Sequence, residues 1–112
     1  MKLIIAIIKP FKLEEVRDAL SAVSVQGMTV TEVRGFGRQK GQTEIYRGAE
    51  YTTSFVPKTR IDVAVADNLA AQAVEAIQTS AGTGAIGDGK IFVLPMEQAV
   101  QISDGHEGPG AI

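Results

Sequence analysis

Gly84, Gly87 and Gly89 fall within six residues and are followed at once by Lys90, which makes this the stretch best suited to holding an anion. Glycines let backbone approach a ligand closely and aim N–H groups at its oxygens, and a lysine adds a point charge. Gly84-Ala85-Ile86-Gly87-Asp88-Gly89-Lys90 also has the glycine and lysine spacing of a phosphate-binding P-loop. Two features argue against nucleotide hydrolysis of that kind. Ile91 stands where serine or threonine would bind magnesium, and the segment leads into a strand rather than a helix N-terminus. Phosphate binding survives this test, beside the plainer reading of a turn between helix and strand.

A second glycine-rich stretch, Gly35-Phe36-Gly37-Arg38-Gln39-Lys40-Gly41, brings Arg38 and Lys40 onto a flexible turn. It is not a dinucleotide fingerprint, because its third glycine is displaced by one residue and no helix follows. Anion binding and a solvated loop remain open for it. Tyr46 and Tyr51 lie nearby on a polar stretch, where an exposed aromatic is a partner anchor, a modification site or a side chain folded onto the surface. Catalysis has little to work with, since His106 is the only histidine and has no evident nucleophile to activate. Asp104, His106 and Glu107 could touch a metal ion, but a glycine-rich tail organises them poorly.

The elements that must position these groups follow from periodicity. Leu3 to Ile8 is an apolar run too short for a membrane span or a signal-peptide core, and reads as a buried strand. Leu13, Val16, Leu20 and Val23 recur at helical spacing, with Glu14 and Glu15 in the first turn and Gly27 beyond the end. Met28 to Phe36, rich in Thr and Val, reads as a second strand. No sustained periodicity runs from Gly37 to Val56, so residues 37–56 are expected to form a long exposed loop. Ile61, Val63 and Val65 then alternate inward along a third strand. Asp67 offers an N-cap to a helix carrying Leu69, Ala73, Ile77 and Ala81, which Gly82 closes. Residues 82–90 are the glycine-rich loop, Ile91 to Leu94 is a fourth strand, and 101–112 is a tail, expected to be mobile from Ser103 to Gly110.

That order predicts a single α+β domain over residues 1–112, a ferredoxin-like βαββαβ sandwich whose antiparallel sheet carries two helices on one face. The uncovered face then calls for self-association. The chain has 112 residues, 45% of them apolar and 21% charged, enough for one core. A formal charge of −2 lacks the excess that a nucleic-acid partner would require. The absence of cysteine gives no sign of an oxidising compartment, so the cytoplasm is expected.

Two stretches are specific enough to suggest a family. Tyr46-Arg47-Gly48-Ala49-Glu50-Tyr51 and Thr83-x-x-x-Gly87-Asp88-Gly89-Lys90-Ile91-Phe92-Val93 match the two signatures of the PII nitrogen-signalling proteins, and the chain resembles that family from Met1 to about Val100 without a gap. The resemblance implies a homotrimer with nucleotide sites between subunits, where ATP and ADP compete. It implies that Thr29, Gly35, Gly37, Arg38, Gln39 and Ala64 line the nucleotide site and that Gly87, Asp88, Gly89 and Lys90 cradle phosphates. It further implies that Gln39, Lys58 and Gly87 contact 2-oxoglutarate, with Gln39 supplying an amide oxygen to magnesium in the ATP state.

The implied function is non-catalytic signalling: the loop around Tyr51 changes conformation with effector level and docks on an ammonium transporter or nitrogen-regulating enzymes. Membrane contact would come only through a transporter partner. Tyr51 matches the residue uridylylated in many proteobacterial members. One departure stands out. The family's C-terminal segment carries arginines where this chain has Gln101 and Ser103. The alternative reading is therefore a specialised paralogue with weakened or altered nucleotide sensing that acts mainly as a partner-binding module.

Overall fold

The structure, a computed structural model, describes residues 1–36, 43–46, 49–52 and 55–112. Strand β1 is Lys2–Ile8, β2 Thr29–Gly35, β3 Thr43–Tyr46, β4 Ala49–Thr52, β5 Val56–Val65 and β6 Gly89–Pro95; helices α1 and α2 are Leu13–Ala22 and Asp67–Ala81. The main sheet has the order β2-β5-β1-β6, and each adjacent pair is antiparallel. Strands joined by a helix are thus separated by one strand of opposite direction, the split pattern of the ferredoxin-like fold.

Alternation decides which face the helices cover. Ile4, Ala6 and Ile8 of β1 and Ile61, Val63 and Val65 of β5 are buried, together with Val16 and Leu20 of α1 and Ala73, Ile77 and Ala81 of α2. These side chains form one continuous core between sheet and helices. The residues between them, Leu3, Ile5 and Ile7, point to the opposite face. In register beside them lie Ala64, Asp62 and Arg60 on β5 and Leu94, Phe92 and Lys90 on β6. Phe92 and Leu94 are exposed there, so this face keeps an uncovered apolar surface.

The helix ends depart from the sequence expectations. α1 begins after a single 3-10 turn, Pro10–Lys12. It ends before Gly27: Ser24 takes the left-handed conformation at φ 71°, so the reversal does not use the glycine. Ala66, not Asp67, is the N-cap of α2 and makes no side-chain cap hydrogen bond. The Asp67 carboxylate instead lies 2.9 Å from the Met1 ammonium, which lowers its pKa through a hydrogen bond and charge. Gly82 does close α2, but in extended conformation; a Cβ there would stand 2.9 Å from the Gln78 carbonyl oxygen, so the requirement is for space.

β5 is longer than its alternating centre suggested and begins at Val56, the last residue of the expected loop. Within that loop, β3 and β4 pair antiparallel, with Glu44 opposite Tyr51 and Tyr46 opposite Ala49. Four-residue strands are too short for periodicity to mark them. The tail is folded back on itself: Val100 bridges Glu107, the Gln101 amide donates to the His106 carbonyl at 2.7 Å, and a 3-10 turn spans Pro109–Ala111. Among the described residues no helix is long and apolar enough to cross a membrane.

Candidate functional site

One end of the sheet gathers most of the residues with chemical potential. There β2 finishes at Gly35, β5 starts at Val56, β1 finishes at Ile8 and β6 starts at Gly89, with Gly35 paired to Val56 and Ile8 to Gly89. The segment 37–54 leaves and re-enters the sheet here, and Lys58 and the glycine-rich loop sit beside its roots.

Lys58 is only 7% exposed, and its Nζ donates to the Gly87 carbonyl. Burial pushes its pKa below that of an ordinary lysine; the charge of Lys9 pushes the same way, and Asp88 partly opposes both. Gly35 allows this placement, because a Cβ there would come within 3.2 Å of the Lys58 Cγ. Nearly all of the lysine is thus out of water, with its charge set against a neutral carbonyl. A carboxylate or phosphate oxygen would be a stronger partner.

The glycine-rich loop is held by its own aspartate. The Asp88 carboxylate accepts from the Thr83 hydroxyl at 2.5 Å, from the Thr83 amide at 2.8 Å and from the Gly84 amide at 2.9 Å. Lys9 Nζ lies 3.1 Å from the same carboxylate and donates to Thr83 Oγ1 at 3.3 Å. The Thr83 hydroxyl and amide, followed by Lys9 and the Gly84 amide, hold the Asp88 carboxyl well below the usual carboxylate range. Between Thr83 and Lys90 the chain passes through positive φ at Gly84, Gly87 and Gly89 (83°, 95° and 108°).

Of the residues expected from the sequence, Gly35, Lys58, Gly87, Asp88, Gly89 and Lys90 meet at this end. The side chain of Asp88 turns inward to staple the loop. Thr29 and Ala64 lie elsewhere, in an open cleft with Asp62, Met28 and the tail residues Pro109 and Ile112. Thr29 stands six residues before Gly35 on β2, which at strand rise is about 20 Å away. Gly37, Arg38 and Gln39 lie outside the described residues, and Tyr51 is on β4.

Lys9 and Thr83 were missed as site residues. Nothing in the local sequence marks Lys9, and Thr83 figures only in a signature; the contact that joins them spans 74 positions. In the tail, the His106 amide donates to Asp104 Oδ1 at 2.9 Å. Among the described residues no group of three His, Cys, Asp or Glu side chains is arranged to hold a metal ion.

A family model described as nitrogen regulatory protein P-II matches residues 1–106. The chain is 61% identical to a nitrogen regulatory protein P-II of Rhizobium etli and 60% identical to one of Azospirillum brasilense, each over the full length of both chains. It is 54% identical to the nitrogen regulatory protein GlnK of Escherichia coli, again over all of both chains. Both signature stretches and the split βαβ sheet that carries them are accounted for by one conclusion: the chain belongs to the nitrogen regulatory protein P-II family.

Proposed function

We propose that this protein, a nitrogen-regulation signalling protein by its family, senses ATP or ADP together with 2-oxoglutarate and reports them by resetting the segment around Tyr51. The observation that carries this reading is the buried Lys58 ammonium on the Gly87 carbonyl, at the root of that segment. A dicarboxylate arriving there would draw Lys58 toward itself and disturb the backbone at both Gly87 and the Gly35–Val56 pair. Ligand occupancy would so be coupled to the segment's exit from the sheet, and a target that recognises one conformation would be bound or released.

The separation of Thr29 and Ala64 from the glycine-rich loop supports a site shared between protomers. Thr29 lies about 20 Å from Gly35 along one strand and three strands away from the Gly87 to Lys90 loop across the sheet, so a neighbouring copy is the simpler source of a Thr29 to complete the site. The apolar open face around Ile5, Phe92 and Leu94 gives such copies a reason to associate, and a homotrimer is the proposed assembly.

Magnesium fits as an ion held largely by ligand oxygens. The Asp88 carboxylate is already committed to Thr83, Gly84 and Lys9, and by the family resemblance the Gln39 amide oxygen would be the chain's contribution beside phosphate and 2-oxoglutarate oxygens. The ion would neutralise charge between the two ligands. Targets would be nitrogen-metabolism enzymes or an ammonium transporter, and uridylylation of Tyr51 would add bulk and charge that break such a contact.

Titration of 2-oxoglutarate into protein saturated with ATP and magnesium, by calorimetry from pH 7 to 10, tests this reading. Anion binding needs the Lys58 ammonium, so affinity is full below the lowered Lys58 pKa and falls as pH rises through it, which happens before an ordinary lysine titrates. Lys58→Ala is expected to remove the interaction at every pH. Binding that is independent of both pH and Lys58 would refute it.

A further inference from the structure

Lys9 and Thr83 flank the glycine-rich loop from two directions. Thr83 follows Gly82, which closes α2, and Lys9 follows Ile8, whose strand partner is Gly89. Their polar groups meet on one carboxylate. The Thr83 hydroxyl donates to Asp88 and accepts from Lys9, while the Lys9 ammonium spans both. The end of the helix, the end of β1 and the loop are therefore tied at a single point.

We propose that Lys9 and Thr83 are positioning residues for phosphate: acting through Asp88, they fix the Gly84–Lys90 loop in the shape that receives it. The inference rests on the nucleotide-sensing reading above. Neither residue is spared to meet a ligand. Lys9 is set against Asp88 at 3.1 Å, and the Thr83 hydroxyl is engaged on both sides. The loop they hold contains glycines at positive φ and, left untied, would sample many conformations. A loop ordered beforehand loses less freedom when phosphate binds, and that gain appears as affinity for the phosphates and not for the nucleoside. The paired charges of Lys9 and Asp88 also largely cancel, so that among the described residues Lys58 and Lys90 contribute most to the field felt by an anion.

The test is calorimetry of ATP, ADP, AMP and adenosine with the full chain and with Thr83→Val, Thr83→Ser and Lys9→Met. Valine keeps the shape of threonine without the hydroxyl, and serine restores it. Thr83→Val and Lys9→Met are expected to weaken ATP by about tenfold each, with the loss shrinking toward adenosine and recovering in Thr83→Ser. Exchange of the Gly84 amide in the free protein should quicken in both weakened variants. Should Thr83→Val not fold, Lys9→Met decides alone.

Equal losses for ATP and adenosine, no loss at all, or a serine variant as poor as valine would overturn the positioning role. A parent protein that binds ATP normally while the variants match it removes this inference and leaves nucleotide sensing standing. A parent that binds no ATP removes both.

Discussion

Replacing Gln101 and Ser103 together by arginine is expected to tighten ATP binding by about 10² to 10⁴. Each restored charge-assisted hydrogen bond to phosphate contributes about 1.5 to 3 kcal/mol, and 1.4 kcal/mol is a factor of ten in affinity. The tail can present these positions without rebuilding. Its turn is held by main-chain bonds, Gln101 N–H to His106 and Gly105 N–H to the Gln101 carbonyl, while the side chains of Gln101, Ile102 and Ser103 are exposed. Calorimetry of the double variant against the parent decides the matter, and ADP should gain less than ATP. An unchanged affinity would mean that these positions do not reach the triphosphate, and would leave the specialised-paralogue reading without its main support.

Gly89→Ala is expected to be far more disruptive than the same methyl addition at Gly84. Gly89 has φ of 108°, and a Cβ there would stand 1.7 Å from the Ile7 carbonyl oxygen and 2.8 Å from its carbon. The obstruction is backbone of the neighbouring strand, which cannot rotate away as a side chain would. Left-handed strain alone costs about 1 to 3 kcal/mol, and relief of the clash means parting β6 from β1 near Ile8, so a total of about 3 kcal/mol or more is expected. At the scale of a domain this size that lowers the melting temperature by roughly 10 °C or more, measurable by calorimetry or circular dichroism. Gly84, where a Cβ meets nothing within 4 Å, is the control: alanine there should cost only the positive-φ strain. Equal melting of the two variants would contradict the close approach of Gly89 to β1.

These two positions also show where sequence reading succeeds and where it stops. β1, α1, the centre of β5 and α2 were legible because their apolar residues repeat at periods of two or 3.6 over long enough runs. β3 and β4 were not, since four residues do not establish a period. The resemblance implies that Lys58 contacts a ligand, but its burial is not legible in the sequence, because lysines are seldom buried without a charged partner and nothing near it in the sequence signals one. The Asp88 staple was equally hidden: it assembles Lys9 from one end of the chain with Thr83 and Gly84 from the other. Thr29 and Gly35, both expected at one nucleotide, sit at opposite ends of a single strand, a separation already contained in the strand reading of Met28 to Phe36. Which other segments lie beside each end is decided by sheet register, set by pairing across distant segments.

On the proposed reading, effectors gripped beside Lys58 select the conformation of residues 37–54. Hydrogen exchange of those residues in the parent and in Lys58→Ala, measured free and with saturating ATP, magnesium and 2-oxoglutarate, addresses it most directly. A ligand-dependent change in protection across the segment is expected in the parent and is expected to be absent in Lys58→Ala. Effectors that bind the parent yet leave the segment's exchange unaltered would contradict it.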